Sequence, residues 1–386
     1  MEMSEDYSRS EAIAISEGKE ALKRAPWLNN RSVPNTEGFF FKLMENDTVH
    51  PNHYSISCVD GNGTKLFLSP WSGNYRLAPQ DGIAMNANDM ATAIRAYPDS
   101  LMIYMACQTD VEESYMGEIM RGFVNATEKI RIPNAPWDLN IGKLETATLN
   151  EMISLGIPGK GFDFGIVMTG FIKKDEVPYL NPQPGHKIIG VASTGMHSNG
   201  FTEGRHILLK PNSELEPREE WRKEYRGKYE LHHKPIMLEG KTILEAMQVP
   251  TALYLVDAVM IGEELRDRDI YGVNITGNGL LNFNRVGHDV SFEITDPLPS
   301  LPIHELLVAS TDWSPIGAYE KQNMGMGFSF ITPTNLADRA VQIINERGEN
   351  HAQIVGEVSK NKGKGVQTVL HHTYSGKQFT FKGYNN

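Results

Sequence analysis

The chain has 386 residues, a length that fits two or three domains and buries a core without disulfide or metal staples. Apolar residues make up 40% and charged residues 22%, with 35 glycines and 21 prolines, which excludes fibrous, low-complexity and intrinsically disordered classes. Thirty-seven Lys and Arg against 48 Asp and Glu leave a net charge of −11, the wrong sign for a chain that binds a polyphosphate backbone, so no nucleic-acid partner is expected. A local basic pocket for a phosphorylated small molecule stays compatible with that total.

Cys58 and Cys107 are the only cysteines and neither belongs to a CxxC pair, so neither a disulfide framework nor a zinc ribbon is expected. No apolar run approaches the roughly 20 residues that span a bilayer, and the first residues are acidic where a signal peptide is basic. The expectation is a cytoplasmic protein with no membrane partner.

In chain order, the pattern predicts a helix over 10–24, then a breaker-rich stretch over 26–38. A strand over 54–59 runs into Asp60-Gly61-Asn62-Gly63-Thr64-Lys65, whose two glycines permit a tight turn. A helix is expected over 81–96 with Asp81 as its N-cap, a buried strand over 101–106, an amphipathic helix over 113–130 and another buried strand over 164–172. Pro178, Pro182, Pro184 and Gly185 mark a domain boundary, giving domains 1–178 and 185–386. Beyond it come a strand over 188–192, a helix from Phe201, and a charged run over 211–234 expected to be an exposed helical excursion. Helices over 251–265 and 335–347 and strands over 272–276, 290–294, 327–331 and 353–358 complete an α/β (α+β) pattern without a short-period repeat.

Several motifs fail on spacing. Gly240-Lys241-Thr242 lacks the first glycine of a P-loop, and Gly277-Asn278-Gly279 lacks the third glycine of a dinucleotide fingerprint. His232-His233 has no HExxH spacing, and Ser198 has no GxSxG setting.

What remains is a set of acids near a glycine turn. Asp60 places a carboxylate beside backbone N–H groups at a sheet edge, with Thr64 and Lys65 close behind, an arrangement suited to a metal-bound phosphate and also to an ordinary turn. Asp81, Asn88 and Asp89 are spaced by seven and eight residues and lie toward one helix face, which reads either as ligand-bearing or as a cap plus a solvated stripe. Glu145 is a loop carboxylate on this reading. Three acids, a glycine turn and a lysine make a candidate magnesium-nucleotide site if they converge.

Asp60-Gly61-Asn62-Gly63-Thr64-Lys65, Asn88-Asp89, Gly142 with Glu145-Thr146-Ala147, and Ser193-Thr194-Gly195-Met196-His197-Ser198-Asn199-Gly200 follow one another in an order that resembles the aminoimidazole ribonucleotide synthetase (phosphoribosylformylglycinamidine cyclo-ligase) family. Pro250-Thr251 with Tyr254, Thr276-Gly277-Asn278-Gly279 with Arg285-Val286, and Asn323-Met324-Gly325-Met326-Gly327 extend the likeness over roughly 50–360. The chain departs from the family where Lys143-Leu144, Ala252 and Asn278 replace Gly-Gly, Arg and Gly.

The resemblance implies a two-domain fold whose N-terminal sheets pair in a homodimer, with ATP and Mg²⁺ as cofactors and a phosphorylated small molecule as substrate. It implies a nucleotide site at Asp60, Gly61, Gly63, Thr64, Lys65, Asn88, Asp89 and Glu145, with Asp60, Asp89 and Glu145 at the metal and Lys65 at the phosphates. Thr194, Gly195, His197, Ser198, Asn199 and Gly200 would face the substrate. The implied reaction is ATP-dependent cyclisation of formylglycinamidine ribonucleotide, with Lys65 and His197 as catalytic residues. His197 reads equally as a hydrogen-bonded turn histidine. A paralogue acting on another small molecule, or a silent ATP-binding dimer, is the alternative. No Cys precedes Cys58 as in a selenophosphate synthetase, and the chain does not end in Cys as a hydrogenase-maturation carbamoyl dehydratase does.

Overall fold

The computed structural model describes residues 33, 38–45, 50–108, 113–153, 160–363, 365–372 and 376–383. The helix expected over 10–24 and nearly all of the breaker-rich stretch after it lie outside the described residues.

Two sheets organise the chain. The first contains β1 (Lys42–Glu45), β2 (His53–Gly61), β3 (Tyr97–Cys107), β4 (Asn140–Thr148) and β5 (Phe162–Lys173) in the order β1-β2-β5-β3-β4. Burial alternates along β5: Phe162, Phe164, Ile166, Met168 and Ile172 are buried while Asp163 and Gly165 between them are exposed. That alternation leaves one sheet face on the core and one face open. The short α1 (Leu68–Ser72) follows the glycine turn, and α2 (Ala78–Ala91) and α3 (Glu113–Lys129) cover the inner face.

Helix α2 starts earlier than expected. Pro79 sits in its first turn, where its missing N–H removes no helical bond. Asp81 is therefore inside the helix and buried, not an N-cap. The helix is buried almost all round because Ala84, Ala87 and Ala91 are small enough for close packing on both sides. Gly82 shows how tight this is: a Cβ there would stand 2.6 Å from Asn62 Oδ1 and 2.7 Å from Ile166 Cδ1.

The second sheet contains β6 (Lys187–Ala192), β7 (Tyr271–Asn274), β8 (Val290–Ile294), β9 (Met326–Thr332), β10 (Ala352–Lys360), β11 (Gln367–His372) and β12 (Lys377–Lys382), ordered β12-β11-β8-β10-β6-β9-β7. Around it lie α4 (Phe201–Leu208), α5 (Glu219–Arg222), α6 (Ile243–Met247), α7 (Leu255–Leu265), α8 (Pro302–Ala309), α9 (Pro315–Lys321) and α10 (Thr334–Arg347). Ile83 and Met90 of α2 share one continuous core with Val259 of α7, Phe328 and Phe330 of β9 and Ile343 of α10.

The charged run over 211–234 corrects the sequence reading. Only α5 is helical there, and Glu216, Tyr225 and Leu231 are buried. Pro217 and Gly227 interrupt any longer helix, and Glu216 is held by Arg218 Nε at 2.7 Å and Nη2 at 2.6 Å. Helix α7 starts at Leu255, not 251, and residues 249–254 before it carry no regular secondary structure. Among the described residues no helix is long and apolar enough to cross a membrane.

Candidate functional site

The glycine turn leaves β2 at a place only glycine fits. A Cβ on Gly61 would stand 2.9 Å from Phe164 O, and Gly63 adopts φ +59. Asp60 just before it is exposed at the surface and accepts the Gly61 N–H at 2.7 Å, and partial desolvation raises its carboxyl above the ordinary range. Asp89 on α2 accepts Asn274 Nδ2 at 2.8 Å. Burial pushes Asp89 up to about 7, and the Asp60 charge adds to the rise while Asn274 and Arg285 oppose it. Two carboxylates thus lie in each other's field, which is the donor chemistry a hard divalent ion takes.

Glu145 does not join them. It stands on the exposed edge strand β4, where Lys143 Nζ pairs with it at 2.7 Å and holds its carboxyl below the ordinary range. The register aligns Glu145 with Tyr104, Gly165 and Gly61. Alternation across the pleat therefore puts it on the sheet face opposite to Asp60, three strands or about 14 Å away. Among the described residues no group of three or more His, Cys, Asp or Glu could hold a metal ion. The expected trio of acids reduces to a pair within one chain.

Lys65 also departs from expectation. Its ammonium is buried, donating to Asp81 Oδ1 at 2.8 Å and to Val249 O at 2.7 Å. Burial lowers its pKa, and the Asp81 charge opposes that shift. A desolvated ammonium already committed to a carboxylate and a carbonyl does not reach out to a phosphate. Asn88, expected beside the nucleotide, is buried and instead brackets a backbone: its Oδ1 accepts Tyr254 N at 2.9 Å and its Nδ2 donates to Ala252 O at 2.8 Å.

The 193–200 loop packs against the same region. Thr64 Oγ1 and Thr202 Oγ1 are 2.8 Å apart, joining the glycine turn to the start of α4. Thr194 Oγ1 donates to Pro250 O at 2.6 Å, and Ser198 Oγ lies 3.4 Å from Thr251 Oγ1. Asn323 fastens the loop from beneath, accepting Ser193 Oγ at 2.8 Å and donating to Gly195 O at 2.9 Å. Gly200 adopts φ +66 where a Cβ would stand 2.5 Å from Gln322 Nε2, and Asn199 faces Gly277. Thr194 and Gly200 are exposed at the rim, with Ser198 and Asn199 half-buried, so this edge can meet a ligand.

His197 is a buried, neutral turn residue. At φ +57, its Nε2 accepts Thr194 N at 3.3 Å and Ala252 N at 3.4 Å. Burial holds its pKa well below the ordinary value, and Lys65 and His304 push the same way. It holds the loop in shape and does not offer a cation to a phosphate.

Sequence reasoning missed Asn274, which orients Asp89, and Thr251, whose N and Oγ1 reach Asp81 Oδ1 at 2.8 and 2.6 Å. The signal for Thr251 was present in Pro250-Thr251, but not its direction.

No family model matches the chain. A phosphoribosylformylglycinamidine cyclo-ligase of Methanosarcina barkeri is 32% identical over 302 residues, covering 78% of each chain. The enzyme of that name from Methanopyrus kandleri is 32% identical over 269 residues, 69% of each chain. That from Methanococcus maripaludis is 28% identical over 313 residues, 80% of this chain and 79% of the relative. Among solved structures, the HypE-HypF complex matches with TM-score 0.55 at 13% identity, covering 94% of this chain and 99% of that one. The hydrogenase maturation protein HypE in complex with ATP matches with TM-score 0.52 at 14% identity, over 86% and 85%. AaThiL complexed with AMPPCP and TMP matches with TM-score 0.50 at 13% identity, over 90% and 91%. These structures share the two-sheet α/β fold, and the sequence relatives set its lineage: the chain belongs to the phosphoribosylformylglycinamidine cyclo-ligase family.

Proposed function

We propose that the protein cyclises formylglycinamidine ribonucleotide to aminoimidazole ribonucleotide at the expense of ATP, a step of purine biosynthesis. The γ-phosphoryl group passes to the formyl amide oxygen and ADP departs. The ribosylamine-side nitrogen then attacks the same carbon, the carbon–oxygen bond breaks, and inorganic phosphate leaves as the ring closes. Such chemistry needs positioning and charge neutralisation more than a strong nucleophile.

The observation that carries this reading is the meeting of the Asp60 and Asp89 pair, the 60–65 glycine turn and the 193–200 loop at the end of β2. Asp60 and Asp89 would hold Mg²⁺, which when bound neutralises charge on the nucleotide phosphates. Gly61, Gly63 and Thr64 offer backbone and hydroxyl groups to those phosphates. Thr194, Ser198, Asn199 and Gly200 present polar groups at the start of α4 to the phosphorylated substrate. His197 and Gly195 keep that loop in register. The two loop halves fall on either side of the proposed division, 1–178 for the nucleotide and 185–386 for the substrate.

The departure at Asn278 is compatible with activity. It adopts φ +72, a conformation that asparagine tolerates better than other residues with a side chain. Gly279 is the position that must stay glycine, since a Cβ there would overlap Tyr319 O. Ala252 in place of the family's arginine favours a second reading, a different small-molecule acceptor in the same site.

We also propose a homodimer through the open face of the first sheet, where Val59 is 75%, Met102 36% and Tyr104 47% exposed. Glu145 lies on that face. A cytoplasmic setting is supported by two unpaired cysteines, one of them buried. The functional test is phosphate release from ATP by purified protein. Release that depends on formylglycinamidine ribonucleotide supports cyclisation; release with another acceptor alone supports the second reading.

A further inference from the structure

Residues 249–254 have few backbone partners of their own. Instead side chains from both halves of the molecule take their polar groups. From the nucleotide half, Lys65 Nζ donates to Val249 O at 2.7 Å and Gln80 Nε2 to Thr251 O at 2.9 Å. Asp81 Oδ1 accepts both Thr251 N and Thr251 Oγ1, at 2.8 and 2.6 Å, and Asn88 clasps Ala252 O and Tyr254 N. From the other half, Thr194 Oγ1 donates to Pro250 O and the Ala252 N–H reaches His197 Nε2. Tyr254 Oη donates to Ala192 O at 2.9 Å, just before the 193–200 loop.

Most buried backbone groups bond to other backbone groups in ladders and helices, so a segment held on both sides by side chains is set by those side chains. We propose that residues 249–254 are the link through which the nucleotide half fixes the 193–200 loop, with Asp81, Asn88 and Thr251 as positioning residues for the phosphorylated substrate. This rests on the functional reading above. Thr251 is the pivot. Its hydroxyl proton goes to Asp81, so toward Ser198, 3.4 Å away, the same oxygen is an acceptor. It is 3% exposed, so the carboxylate bond is sheltered from water and correspondingly strong.

Thr251→Val keeps the shape and removes the hydroxyl, and Thr251→Ser restores it. Thr251→Val is expected to raise KM for formylglycinamidine ribonucleotide roughly tenfold. Its Kd for a nonhydrolysable ATP analogue stays within about twofold of wild type, and Thr251→Ser recovers the wild-type KM. Asn88→Asp keeps the acceptor for Tyr254 N but sets an oxygen against Ala252 O, and is expected to raise KM in the same way. A Thr251→Val enzyme with unchanged KM overturns the proposal, as does an Asn88→Asp enzyme that loses analogue affinity and keeps its KM. Should wild type show no such turnover, the functional reading fails separately, and amide hydrogen exchange tests the link alone. Faster exchange over 193–200 in Thr251→Val, reversed in Thr251→Ser, supports it; unchanged exchange refutes it.

Discussion

His304 on α8 is fully buried, and neither ring nitrogen has a hydrogen-bond partner among the described residues. Burial lowers its pKa from 6.5 to about 4. Because the folded value is depressed, the unfolded chain takes up a proton between about pH 6.5 and 4 while the folded chain does not. Stability is then lost as pH falls through that window and is unaffected above it. The displacement of about 2.5 units, at about 1.4 kcal/mol per unit, is worth about 3 kcal/mol, of which about 2.5 is lost by pH 4.5. His304→Leu removes both the titration and the burial of an unpaired N–H, itself worth about 1–3 kcal/mol. Urea unfolding of both proteins at pH 7.5 and 4.5 isolates the effect, since His206, also lowered to about 4, is common to both. The variant should gain about 2.5 kcal/mol on wild type between the two pH values. A gap that stays constant with pH would refute the assignment of a neutral His304 held without a hydrogen-bond partner.

Other outcomes follow from the site itself. At Gly327 a Cβ would overlap Tyr254 Oη and stand 2.5 Å from His197 Cε1, so Gly327→Ala should lower stability by about 1–3 kcal/mol and impair turnover; a wild-type melting temperature contradicts that packing. A proton must leave Asp89 for a cation to bind, so Mn²⁺ affinity should fall as pH drops below about 7, and Asp89→Asn should bind Mn²⁺ weakly with the step near pH 7 removed, leaving only the Asp60 titration at lower pH. PH-independent affinity in wild type counts against the acid pair. A charge at an exposed apolar position of the open sheet face, Tyr104→Glu, should convert a dimer to a monomer in sedimentation experiments without loss of fold, and a persistent dimer places the interface elsewhere.

The regular elements with strong periodicity were legible from residues alone. Apolar runs and alternation located β2, β3, β5 and β9 to within a few residues, and α3 and α10 nearly to their ends. Edge elements were not. β4 is exposed along almost its whole length, so it carries no burial pattern to read, and Glu145 looked like a loop residue. Residues 251–254 read as the first turn of the helix expected over 251–265; long-range bonds to Asp81 and Asn88 outweigh that local reading. For the site, spacing correctly suggested that Asp81 and Asn88 share a face of α2, yet it could not tell a ligand face from a face that grips another segment. The family resemblance supplied the identity of the residues, and only the fold separates Asp60 and Asp89, which lie near each other, from Lys65, which is sealed inside.

The central claim is ring closure, and mass analysis of the product tests it most directly. Purified protein with ATP, Mg²⁺ and formylglycinamidine ribonucleotide should yield a ribonucleotide lighter by one water, with one ADP formed per molecule. ATP consumption that leaves the ribonucleotide's mass unchanged, or attaches phosphate to it as a stable product, would contradict the account.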